Sequence, residues 1–305
     1  MKKIITLASI VSLSLSATNQ AVTVVLDFND PTQATTERTN VFYDTMNTFN
    51  ITQYGFTDTA ANRLTITSSI LEAVKADYIF DLGAATGNAA LNGKRLNLDF
   101  VIGDAGLAPS NGDSEYYVVQ IGVGDGGFGV AAFSSIRQAD GSIGAYHGSS
   151  VGRDINTGAA VVYNDGDSVP NGAIVGSVYS NNLANILSSR DMGRLDRTTN
   201  VLAGVISHEV GHALSLDHLE FSQPTSTPNN RTAIMHTGAS GLPNFERKYD
   251  REFSTSGVDE NGNTVNNLQL LQNALGVVDI APVPEPSSGL LLLSGIGMLT
   301  LSRRR

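Results

Sequence analysis

The chain has 305 residues, 41% hydrophobic and 16% charged, with no cysteine and no tryptophan. That composition suits one sizeable globular domain with processing segments and excludes a disulfide framework, a cysteine nucleophile and thiolate metal sites. Any metal must be held by His, Asp, Glu or backbone oxygen. The formal net charge is −10, and setting aside the terminal Lys2, Lys3, Arg303, Arg304 and Arg305 takes the remainder to about −15; so acidic a body repels phosphate, which argues against a nucleic-acid partner.

Residues 1–21, MKKIITLASIVSLSLSATNQA, have a dibasic start, an apolar run and small residues after it, the pattern of a secretory signal peptide. The body spans 22–280, of which 22–60 reads as propeptide or N-terminal extension as readily as domain. ITSSILEAVKADYIF places Ile70, Leu71, Ala73, Val74 and Tyr78 near helical spacing. RLNLDFVIG and EYYVVQIGVG read as strands with turn clusters between them, and AAFSSIRQ, AAVVYND and AIVGSVYS as further short strands. GVGDGG fits G-x-G-x-x-G literally, but a strand-like stretch follows it rather than a helix, so it reads as a hairpin turn. TTNVLAGVISHEVGHAL predicts a helix with a polar start. Residues 219–262 are mostly polar and irregular, and NNLQLLQNALG closes the body as a short helix with Leu268, Leu271 and Leu275 on one face and Gly276 at its end. Mixed strands, an early and a late helix and a ragged last third predict an α+β domain.

Five histidines occur in the chain, and three of them fall within residues 208–218. Side chains four apart on a helix share one face, so His208 and His212 can present two imidazoles to one ion. Glu209 points beside that face, where it can reach water at the ion without ligating it. A chain reversal after Leu214 would bring in His218 as third ligand, leaving one position open, as catalytic zinc sites do.

His208, Glu209, His212 and His218 resemble the metzincin pattern H-E-x-x-H-x-x-G-x-x-H, with Ser215 in place of the glycine. HEVGHALSLDH is similar to the matrixin-type branch. The resemblance implies a metzincin-like catalytic domain with a mixed twisted sheet, an active-site helix and an irregular C-terminal subdomain. It further implies Zn²⁺ on the three histidines, Met235 in TAIMHTG as the Met-turn, and a short closing helix. The implied activity is endopeptidase: a zinc-bound water attacks a peptide bond of a protein substrate with Glu209 as general base. The alternative is a non-catalytic, zinc-stabilised surface or biofilm-matrix protein on the same fold. A polysaccharide-binding module is a further rival. Matrixin-like domains often bind Ca²⁺, for which the oxygen-rich loops NDGDS (164–168) and DENGN (259–263) are candidates, although ordinary turns describe them better. Asp217 could orient a ligand imidazole, and His236 reads as cleft-lining or exposed.

Residues 281–305 carry Pro284-Glu285-Pro286, an apolar stretch from 289 to 301 and three arginines. Thirteen residues at ~1.5 Å each fall short of the ~30 Å hydrocarbon core. This tail resembles the PEP-CTERM sorting signal, which implies transient membrane association, an exosortase-type processing partner, and release or attachment at the surface of a Gram-negative cell. A simple C-terminal membrane anchor is the alternative.

Overall fold

The computed structural model describes residues 21–28, 48–104, 107–124, 127–131, 135–142, 144, 150–153, 160–163, 166, 168–169, 171–219, 233–236, 253–259 and 261–280. All but the last residue of the 1–21 segment read as a signal peptide, and the apolar stretch 289–301, lie outside them. Among the described residues no helix is long and apolar enough to cross a membrane.

The sheet that organises the domain starts at its first described residues. VTVVLD forms β1 (Val22–Asp27), every side chain of which is buried. It pairs in parallel with β3 (Leu98–Ile102) on one side and with β4 (Glu115–Gly122) on the other. Continuous β-branched sequence without alternation suits a strand covered on both faces. Residues 22–27 are therefore an inner strand of the described sheet. Beyond β4 come β8 (Ile174–Tyr179), parallel to it, and the edge strand β5 (Gly129–Ala131), antiparallel to β8, giving the order β3-β1-β4-β8-β5.

Two expectations change here. GVGDGG is not a hairpin turn, because β4 and β5 flank β8 on opposite sides instead of pairing with each other. Its loop is held by side chains that follow β8: Asn181 exchanges hydrogen bonds with Gly124, and Asn182 Nδ2 donates to Gly127 O. RLNLDFVIG is two strands rather than one. It breaks at Asn97 into β2 (Lys94–Leu96) and β3, and β2 pairs antiparallel with β11 (Val277–Asp279) in a separate ribbon.

Two nineteen-residue helices lie against the sheet and each other: α1 (Ala60–Tyr78) and α4 (Leu195–Ala213). Thr59 caps α1 through its side chain, and Ile66, Ile70, Val74 and Tyr78 form its buried stripe at four-residue spacing. Short helices α2 (Leu82–Thr86) and α3 (Ser180–Ala184) fill the connections. AAVVYND supplies β7 (Ala160–Tyr163), which pairs antiparallel with β6 (Ser150–Arg153), whereas of AAFSSIRQ only Ala131 is described in a strand. A small ribbon of β9 (Gly257–Val258) and β10 (Thr264–Val265) precedes α5 (Asn267–Leu275), which buries Leu268, Leu271 and Leu275 and stops at Gly276 with φ 72°. The domain is α+β with a mixed sheet.

Candidate metal centre

The central helix ends in a way that brings distant histidines together. The last turn of α4 closes with Ser215 N–H donating to His212 O and Leu216 N–H donating to Gly211 O, both at 3.0 Å. This bond pair is a Schellman stop, whose reversal residue must adopt a left-handed backbone. Ser215 does so with φ 70°, and among the described residues it is the one non-glycine with positive φ. That conformation costs a residue with a Cβ about 1–2 kcal/mol. Its hydroxyl donates to Arg137 O at 2.6 Å, a bond worth about 0.5–1.5 kcal/mol, which offsets much of the strain.

After the reversal, His218 faces back to the helix. The three Nε2 atoms lie 3.1 Å (His208–His212), 3.0 Å (His212–His218) and 3.2 Å (His208–His218) apart. Tetrahedral zinc at ~2.0–2.1 Å from each nitrogen would set them about 3.3 Å apart, so the spacing fits. The tautomers fit as well. His208 Nδ1 meets Ile234 O at 2.7 Å and His212 Nδ1 meets Leu216 O at 2.9 Å. A carbonyl only accepts, so each Nδ1 carries the hydrogen, and in the neutral ring the lone pair sits on each Nε2. Two such lone pairs 3.1 Å apart repel each other and cannot be a hydrogen bond. A cation between them turns that repulsion into coordination, and backbone carbonyls behind ligand imidazoles are the usual orienting partners of such a centre.

Beside the triad, Glu209 is nearly buried and packs on the edge strand. A Cβ added to Gly129 would lie 2.8 Å from Glu209 Cδ, so only glycine lets β5 pass this close to the carboxylate. Met235 lies fully buried beneath the helix, its sulfur against Gly211, where a Cβ would also come within 3.2 Å of the methionine methyl. Residues 233–236 form a turn closed by His236 N–H to Ala233 O at 3.1 Å, and Met235 O accepts from Leu219 N–H at 2.9 Å. One short turn thus supplies the carbonyl behind His208 and the side chain under Gly211, and it anchors the residue after His218.

The helix is gripped from behind at Ser207. Ser207 Oγ donates to Asp77 Oδ2 and Tyr78 OH donates to Ser207 O, both at 2.6 Å. Burial, reinforced by the Asp77 carboxylate, holds the Tyr78 phenol well above its ordinary pKa, so it stays a donor.

The structure brings His208, His212 and His218 together, with Met235 packed on Gly211 and Glu209 on Gly129. Other sequence readings meet different outcomes. Asp217 is exposed and accepts from the His218 backbone N–H at 2.8 Å instead of from an imidazole. His236 is buried, at 1% exposure, not exposed. The DENGN loop is a turn: Asp259 accepts from the backbone N–H of Asn261 and Asn263 and from the Asn263 amide, bonds that hold its carboxyl below the usual carboxylate range. NDGDS lies mostly outside the described residues, as does His147. The carbonyls of Ile234 and Leu216, together with Gly129 and Arg137, escape a sequence reading because they act through backbone or through absence of a side chain.

Residues 282–305 match the PEP-CTERM protein-sorting motif. The motif marks an exported protein of the Gram-negative type, processed at its C-terminus through recognition by an exosortase-type enzyme. No curated protein matches the chain.

Proposed function

We propose that the protein is an exported zinc-dependent endopeptidase of metzincin type, acting at the cell surface or outside the cell once its tail is processed. The observation that carries this reading is the convergence of three imidazole Nε2 atoms within 3.2 Å, two of them with Nδ1 committed to carbonyls. His208, His212 and His218 would hold the ion, and Met235 would floor the site as its Met-turn. When bound, zinc supplies Lewis acidity for a peptide carbonyl and acidifies water.

The chain's own residues do the remainder. Glu209 takes the proton of the attacking water on its carboxylate and returns it to the leaving amine. Nearly complete burial against Gly129 keeps that carboxylate in one place. β5 is the outer strand of the described sheet and runs past Glu209. An extended peptide added to such an edge gains main-chain hydrogen bonds that hold its backbone straight across the site, whatever its side chains.

The test compares wild type with Glu209→Ala on a denatured protein substrate while zinc content is measured in both. Removing a general base costs at least ~10²-fold in turnover, with zinc still bound. A chelator should abolish wild-type cleavage and added zinc restore it. Equal turnover in the two proteins would refute the hydrolase reading and leave a zinc-stabilised surface protein.

A further inference from the structure

We propose that Ser215 is a positioning residue of the metal centre. Its hydroxyl, the Arg137 backbone and the part-buried Glu115–Arg137 ion pair form a clamp that sets where His218 and the carbonyl behind His212 stand. The inference rests on the zinc reading above and concerns how this chain builds that site with a serine at the reversal.

Two successive residues of the clamp, Ile136 and Arg137, touch the last residue of α4 and the reversal after it. Ile136 N–H donates to Ala213 O at 2.8 Å, taking up one of the carbonyls that a helix end leaves without an intrahelical partner. Arg137 O accepts the Ser215 hydroxyl at 2.6 Å. The Arg137 backbone is itself immobilised by its side chain, which is 6% exposed. Nη2 donates to Glu115 Oε2 at 2.5 Å and Nη1 donates to Gly141 O at 3.0 Å. Glu115 is the first residue of β4, so the reversal is referenced to the sheet.

Everything downstream of the reversal is short. Leu216, the next residue, offers the carbonyl that fixes the His212 tautomer, and His218 follows two residues later. A rotation at residue 215 therefore moves one ligand and the orienting partner of another together. Glycine would reach the left-handed backbone with less strain, but it has nothing to donate to Arg137 O.

The full-length chain and its Ser215→Gly and Glu115→Gln variants are titrated with Zn²⁺ against a chromophoric chelator, and with Co²⁺ while the visible spectrum is followed. The metal-free proteins are melted in parallel. Ser215→Gly relieves backbone strain, so it should fold. We expect it to bind Zn²⁺ about 10–100-fold more weakly, the range for loss of a partner that orients a ligand, with an altered Co²⁺ spectrum. Glu115→Gln, which touches no histidine, should weaken binding in the same direction by a smaller factor. Wild-type affinity and spectrum in Ser215→Gly would overturn the inference even if its melting temperature moves, because the clamp would then serve stability alone. A wild-type chain that takes up no zinc would instead sink the metal reading, and the clamp with it.

Discussion

The two long helices have the same length and opposite economies. α1 buries five of its nineteen residues, on a stripe of Ile66, Ile70, Val74, Asp77 and Tyr78, and leaves Leu64 67% exposed. α4 buries fourteen of nineteen, polar and apolar alike, because it lies against α1 and against β8 and β5. Sequence pattern does not track burial here: α1 carries little 3.6-residue apolar periodicity despite its wet face, whereas α4 carries more of it although it is enclosed nearly all round. The polar groups on α4 are consequently costly unless satisfied. Ser207 is satisfied by Asp77, and the rings of His208 and His212 by backbone carbonyls.

That contrast can be broken at graded points. Ile70→Ala in the dry stripe of α1 should destabilise the protein by about 2–5 kcal/mol in urea unfolding. Such a loss is the sign that the stripe is core. Gly211→Ala on α4 introduces a Cβ into Met235, so overpacking should cost about 1–3 kcal/mol in the same assay and weaken zinc binding as well. An Ile70→Ala protein, once folded, should bind zinc normally, and a failure to separate the two readouts would erase the distinction drawn between the helices. Tyr78→Phe sits where the helices meet. Losing its hydrogen bond to Ser207 O should cost about 0.5–1.5 kcal/mol, resolved by denaturation midpoints. Leu64→Gln on the wet face should change stability by less than about 0.5 kcal/mol.

Different parts of the molecule were legible to different degrees for physical reasons. His208, Glu209 and His212 stand out because such chemistry needs particular side chains at particular spacings along one helix, and both are written in the order of residues, whereas His218 lies beyond the helix end. α5 shows its apolar stripe directly. β1 carries no alternation because it is covered on both faces, so VTVVLD reads as easily as an extension of the leader as it does an inner strand. The partnership of β5 with β8 was equally hidden. Nearness in sequence favours β4 as its neighbour, and only closure of the whole sheet places β8 between them.

Sequence alone determined the C-terminal sorting motif, the α+β class and the residue types at four positions of the candidate site, since these depend on composition and local spacing. Tertiary structure decided how those groups are placed relative to one another. It did so through a left-handed Ser215 held by Arg137 O, through two carbonyls that set imidazole tautomers, and through glycines that admit Glu209 and Met235 to close contact. Those determinants are backbone atoms and missing side chains, which have no signature in a string of residue names until the chain has folded around them.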